Sequence, residues 1–282
     1  MILYLQRILF IGLALGVSCA QASSCKEYFV NWKDQYVLLR ERVKNADEII
    51  KGLSVNASNV LEVISDIGGY GDKGANPGGV FLVRTQAGLK AMKIVPKAWD
   101  ELVDPISTGA TNRQRDEVIL QNFLAEQGLS IPITGVLSMG EFTNLFRKFP
   151  ELKTNLRKSY PDAKWSAFLM DYVPNAWNPK KNGTTAEISN PPSHFIKWNI
   201  LDLRKQVSQI SRIRDLLGIH SRDLQILISE DGKVYAIDFG LETILYRGDL
   251  SGDRFQPPNS HDVSSTENSY QEKIRLIEER RK

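Results

Sequence analysis

Two acidic residues flank a hairpin signature late in the chain, and this pairing constrains the fold more than any other feature. Asp223 lies in His220-Ser221-Arg222-Asp223-Leu224-Gln225, and the apolar run Ile226-Leu227-Ile228 follows directly. Ile226 to Ser229 reads as a strand, and Glu230-Asp231-Gly232 has turn composition. Lys233 to Ile237 alternates as a second strand and runs into Asp238-Phe239-Gly240. A hairpin returns the chain on itself, so Asp223 and Asp238 are expected on the same side. Two carboxylates so placed suit chemistry in which one orients or deprotonates a hydroxyl and the other holds a hard cation on phosphates.

The 282 residues allow one medium domain or two small lobes with a real core. A net charge of only +3 implies no nucleic-acid partner. Residues 1–22 read as a secretory signal. Arg7 is the positive n-region, Ile8 to Val17 the apolar core, and Ala20-Gln21-Ala22 a small-x-small cleavage site. The expected mature start is near Ser23, with a secreted, periplasmic or extracellular location. The apolar run is short for a stable membrane span, with a signal anchor as the alternative. After cleavage Cys25 alone remains, so no disulfide framework is expected.

Residues 25–52 space Tyr28, Phe29, Trp32, Tyr36, Leu39, Val43, Ile49 and Ile50 as in one or two amphipathic helices packed on a domain. Residues 59–67 are β-branched and apolar, a strand, followed by Gly68-Gly69-Tyr70-Gly71 as a loop. Val80 to Arg84 and Leu89 to Val95 are two more strands joined at Gln86-Ala87-Gly88, which makes a three-stranded antiparallel sheet. Asn112 to Gln127 has helical spacing with Val118, Ile119, Phe123 and Leu124 on one face. Strands are expected at Ile131 to Ser138 and Ala167 to Val173, with a basic, helical insert from Glu141 to Tyr160 between them. Trp177 to Pro192 reads as loop and Phe195 to Leu217 as helix. Beyond Leu245 the chain turns polar, with a charged helix or disordered tail over 265–282.

This order of motifs resembles protein kinases. The resemblance implies an α+β, two-lobed protein-kinase-like fold over 58–249, with an N-lobe of about 58–174 and a reduced C-lobe of about 175–249. A helical extension over 23–57 and a polar tail over 250–282 flank it. Gly68, Gly69 and Gly71 resemble the glycine loop, where absent side chains let backbone amides approach phosphates. Ala91-Met92-Lys93-Ile94 resembles the strand that carries the nucleotide-binding lysine. Met92 and Ile94 point opposite to Lys93, and Ala91 is small on its own face, so Lys93 faces inward. Its expected acidic partner is Glu117, with Asp116 one position away. Phe168 to Pro174 resembles the hinge, which places Met170 behind an adenine and the backbone of Asp171 to Val173 along its edge.

The resemblance further implies ATP and Mg2+, with Asp223 as base or orienting group and Asp238 as magnesium carboxylate. Gln225 stands where the family has Asn, in a loop three residues shorter. Its extra methylene keeps an amide oxygen within reach of the metal. About forty residues follow Asp238, without an Ala-Pro-Glu. This economy resembles the minimal bacterial effector kinases of the HopBF family, which phosphorylate a eukaryotic heat-shock chaperone. A secreted kinase for Ser or Thr hydroxyls of a protein, a host chaperone among the candidates, is the implied function. A small-molecule or lipid kinase and a secreted pseudokinase that only binds are the alternatives.

Overall fold

In the computed structural model the described residues are 34–35, 37–42, 44–68, 79–96, 113–152, 165–181, 184–188, 192–216, 225–239, 271–272, 274–275 and 278–279. The expected signal at 1–22, the start of the extension, Gly69, Gly71, the loop of His220 and Asp223, and most of the tail lie outside them. The chain divides into Met1–Glu41, in which 34–35 and 37–41 are helical, and Arg42–Lys282, which contains every element below.

The architecture is mixed α+β around a five-stranded antiparallel sheet. Its strands are β1 (Val60–Gly68), β2 (Val80–Thr85), β3 (Gly88–Pro96), β4 (Ile133–Leu137) and β5 (Trp165–Asp171), in the order β1-β2-β3-β5-β4. Strands β1 to β3 form a meander. Gly88, at φ 103°, supplies the left-handed backbone that starts β3 after the turn at Gln86 and Ala87. Register sets the faces. Lys93 pairs with Val80 on β2 and with Phe168 on β5, and Ala91 pairs with Leu82 and Met170. Directly paired residues share a face, so Lys93, Ala91, Phe168 and Met170 line one side and Met92, Ile94, Ala167 and Leu169 the other.

Each face carries its own core. On the outer face, Phe81, Met92, Ile94, Trp165 and Leu169 pack with Phe142 and Leu145 of a helix over Met139–Lys148. Ser138 caps that helix by accepting the Glu141 N–H at 3.3 Å, and the Glu141 carboxylate takes the Ala57 N–H at 2.7 Å. Lys148, in its last turn, donates to the Val60 carbonyl at 2.6 Å. The stretch expected as a basic insert thus covers the sheet, because Phe142, Leu145, Phe146 and Phe149 recur at helical spacing.

The inner face packs on the helix Arg113–Glu126. Glu117 to Gln121, Phe123 and Leu124 are all buried, a wider burial than the single apolar face expected. The reason is a short helix over Ala46–Gly52 that packs against it from behind. After that helix the chain bridges to β4. Val55 donates to the Val136 carbonyl at 2.9 Å, and Val136 donates to the Leu53 carbonyl at 2.8 Å. This covers one sheet edge. At the other edge β1 takes three irregular steps against β2, and the skipped residues Leu61, Ile64 and Ile67 are exposed.

Three sequence expectations change. Trp177 to Pro192 contains a small hairpin, β6 (Lys180–Lys181) with β7 (Thr184–Ile188). Lys180 pairs with Ile188 and Lys181 with Thr184. The helix expected from Phe195 begins instead at Ile200 and runs to Leu216, after a 3-10 turn at Ser193–Lys197. Asn199 sets that start by accepting the N–H groups of Leu201 at 3.0 Å and Asp202 at 3.4 Å. Third, β5 spans Trp165–Asp171 rather than Ala167 to Val173. The remaining strands, β8 (Gln225–Ile228) and β9 (Val234–Ile237), form the expected hairpin with Gly232 at φ 83° in its turn.

The role of Met139–Lys148 is testable. Phe142→Ala should cost about 3–5 kcal/mol, the usual range for emptying a buried aromatic site, in urea unfolding followed by circular dichroism. A change within about 0.5 kcal/mol, as at ordinary surface positions, would instead mark the helix as a solvated insert.

Candidate functional site

Lys93 rises from the inner face of β3 and is buried beside Phe168, its Nζ 5.6 Å from the ring centroid. A lone ammonium there would be costly, because burial disfavours the charged form. Two carboxylates offset that cost. Lys93 donates to Glu117 on the Arg113–Glu126 helix and, at 2.7 Å, to Oδ1 of Asp238 after β9. Glu117 is almost wholly enclosed and also receives the backbone N–H of Phe239. The Asp238 side chain is about one-third exposed, so the cluster opens to solvent on that side. Of the two acidic residues that the sequence offered as partner for Lys93, Glu117 makes the pair.

Three distant segments therefore converge, and the β8–β9 hairpin carries the last of them. Trp177 and Ile228 exchange backbone hydrogen bonds of 2.7 and 2.8 Å along one edge. On the other edge Ala236 donates to the Leu129 carbonyl at 2.8 Å, and Ser130 Oγ donates to the Ala236 carbonyl at 2.6 Å. Leu129 and Ser130 follow the helix that bears Glu117, so the mounts of Glu117 and Asp238 are directly joined. Gln206 brackets the turn, donating to the Gly232 carbonyl at 3.0 Å and accepting from the Val234 N–H at 2.9 Å. Trp198 donates to the Glu230 carbonyl at 2.8 Å and stacks on Trp177. Gly232 is held to glycine twice over. Its φ is positive, and an added Cβ would stand 3.0 Å from Trp198 Cδ1.

Asp238 adopts φ 58°, a left-handed conformation that Asp and Asn tolerate better than most side chains. That turn aims its carboxylate back at Lys93 and Gln225. Gln225 Nε2 donates to Asp238 Oδ2 at 2.7 Å. The amide so oriented is a donor to Asp238 rather than an oxygen offered to a metal, which differs from the ligand role expected of it. The carboxylate dictates this: presenting the amide oxygen would set two acceptors against each other.

Burial pulls the Lys93 ammonium down, but Asp238 and Glu117 together hold it well above the usual lysine range. Burial pushes the Glu117 carboxyl up, and the Lys93 charge works against that rise. The cluster is therefore centred on a lysine that stays protonated.

The hinge expectation divides. Met170 is buried on the same face as Lys93, with its sulfur 3.6 Å from Gln121 Nε2. Val173 packs against the inner core. The Asp171 N–H, however, is donated to the Pro132 carbonyl at 3.2 Å, and its carboxylate binds Lys90 at 2.5 Å on the outer face. That N–H is thus engaged within the protein rather than left for an adenine edge, because the chain entering β4 runs beside the end of β5. Gly68 is the last residue of β1, paired with Val80, rather than part of a loop. Gln121 was not anticipated. Its position one turn after Glu117, on the same helix face, is the signal that could have found it.

Among the described residues no group of three or more His, Cys, Asp or Glu side chains could hold a metal. Asp238 nevertheless presents a hard carboxylate on the open side, and Gln225 would join it only if its amide turned to present the oxygen. That suits magnesium, which commonly takes one or two protein ligands and fills the rest with water and phosphate. A cavity of about 310 Å³ lined by Ile64, Asp66, Phe81, Glu151 and Leu152 lies on the outer face, away from these groups. It holds no pair of opposite charges, unlike the Lys93 cluster.

The charge state gives a pH test. A lysine raised by its partners contributes stability that is complete below its unfolded value, about 10.4, and is lost as pH rises through the higher folded value. Trace acetylation from pH 8 to 11, read by mass spectrometry, should leave Lys93 unlabelled while ordinary exposed lysines become reactive. Glu117→Gln should raise its labelling. Rapid acetylation of Lys93 in the unmodified protein near pH 10 would contradict the network.

No protein-family model matches this chain, and neither does any curated protein.

Proposed function

We propose that this protein is an ATP-dependent phosphotransferase with a two-lobed, kinase-like domain over about 58–249 and a reduced C-lobe. The observation that carries the reading is the Lys93 network. A strand lysine bound to a glutamate of the next helix and to the aspartate of Asp-Phe-Gly is the arrangement that phosphoryl transfer uses to hold a triphosphate. Ala91 and Met170, paired on the face of the sheet that bears Lys93, are the apolar residues an adenine would meet.

In this reading Lys93 binds the α- and β-phosphates and Glu117 fixes its reach. Backbone amides around Gly69 and Gly71 cover the phosphates. Asp238 holds Mg2+, with Gln225 as second oxygen donor once its amide turns. The ion, when bound, would offset the negative charge of the phosphates. Asp223 orients the acceptor hydroxyl. The acceptor is a Ser or Thr of a protein met after secretion, and the resemblance to the HopBF effectors points to a host chaperone. Catalysis comes from positioning and electrostatics.

A secreted pseudokinase is the second reading. The engagement of both Asp238 oxygens by Lys93 and Gln225 favours it, together with the Asp171 N–H held by Pro132. Incubation with γ-labelled ATP, Mg2+ and a host-cell extract separates the possibilities. Labelled protein bands support the proposal. Labelled small molecules redirect it to a small-molecule or lipid kinase, and no label leaves the pseudokinase. Asp238→Asn keeps a residue that tolerates the left-handed backbone while removing the charge. It should lower transfer at least about a hundredfold, as when a group that stabilises transition-state charge is lost. Full transfer by that variant would end the assignment.

A further inference from the structure

We propose that Lys93 and Gln225 together close Asp238 to divalent cations while no polyphosphate is bound, so that a metal is held only with or after a polyphosphate that gives Lys93 a further anionic partner. The ligand class rests on the phosphotransferase reading; the closure itself rests on geometry.

Both oxygens of the Asp238 carboxylate are engaged. Oδ1 accepts from the Lys93 ammonium and Oδ2 from the Gln225 amide, each at 2.7 Å. A cation arriving at this carboxylate meets two obstacles. First, Gln225 presents N–H groups, and an amide must rotate end for end before its oxygen can face a cation. Second, the fixed charge of Lys93 lies on the same carboxylate, in surroundings that screen poorly. Lys93 cannot simply withdraw. Its stem is buried in β3 beside Phe168, and its other partner, Glu117, is enclosed on the same side.

Access is not the barrier. The Asp238 side chain is about one-third exposed, whereas Lys93 and Glu117 are nearly closed off. Solvent ions reach the carboxylate, and what excludes them is the charge already there. A polyphosphate changes this balance, because it gives Lys93 a third anionic partner and adds oxygen donors for the metal. Binding is then ordered: polyphosphate first or together with the metal, never metal alone. The arrangement keeps the site from filling with divalent ions when no nucleotide is present.

The test titrates Mn2+ into the full chain without nucleotide, following the free ion by electron paramagnetic resonance. The unmodified protein should show no binding tighter than millimolar. Lys93→Met should bind at least tenfold more tightly. Because that change strands Glu117 in the interior, Lys93→Met/Glu117→Leu serves as a second variant. Replacing both members of a buried ion pair with apolar residues of similar size is commonly tolerated. Adding Asp238→Asn to either variant should abolish the gain. The proposal is overturned if neither variant binds Mn2+ more tightly than the unmodified protein, or if the gain survives Asp238→Asn. No nucleotide enters these titrations. Absence of transfer from ATP therefore sinks the phosphotransferase reading and leaves the closure standing, while equal Mn2+ affinities sink the closure alone.

Discussion

One ammonium holds the inner half of this molecule in register. Lys93 is shared between Glu117 and Asp238, residues 24 and 145 positions away along the chain. Removing Lys93 strands both carboxylates in a site that solvates charge poorly, and breaking a buried pair in this way typically costs about 3–5 kcal/mol. Strand β3, the helix Arg113–Glu126 and the β8–β9 hairpin must therefore keep their relative positions. The same fixed positions define any ligand site at the open side of Asp238.

An isolated two-stranded hairpin is marginally stable in water, so the precision of Asp238 needs another source. It comes from backbone pairing at both edges, with Trp177 beside Ile228 and Leu129 to Ser130 beside Ala236. The helix Ile200–Leu216 adds the Gln206 bracket at the turn. That helix is supported in turn from the end of the chain. Ile274 is buried, Arg204 pairs with Glu278 at 3.0 Å, and Gln271 donates to Ser208 Oγ at 2.7 Å. Part of the segment expected as a polar tail is thus helical and docked, because Gln271, Ile274 and Glu278 recur at helical spacing on one face.

Opposite charges also mark the limit of what the cluster is prepared to do. Among the described residues, polar groups that the proposed chemistry would use already have partners within the protein: Lys93 on Glu117 and Asp238, Gln225 on Asp238, Asp171 through its N–H on Pro132. Buried polar groups require partners, and these find them within the protein. A ligand has to exchange these contacts rather than fill a vacant cradle.

Much of the local structure was legible in the sequence by itself. Period-two alternation placed Lys93 opposite Met92 and Ile94, and turn residues at Glu230-Asp231-Gly232 defined the β8–β9 hairpin. Signals at Ser138 with Glu141 and at Asn199 are equally local, although the pattern by itself puts Ser138 in a strand and Asn199 inside a helix. Side-chain period and turn chemistry depend only on near neighbours, which is why they survive in a one-dimensional reading. Tertiary structure alone decided the rest. It chose Glu117 as the partner of Lys93, buried the helix from Glu117 to Leu124 on nearly all sides, and occupied the Asp171 N–H. It also turned the Gln225 amide nitrogen toward Asp238. Each of these outcomes depends on which distant group lies within hydrogen-bond reach, and the strength of a charge or amide contact is set by that distance and by burial.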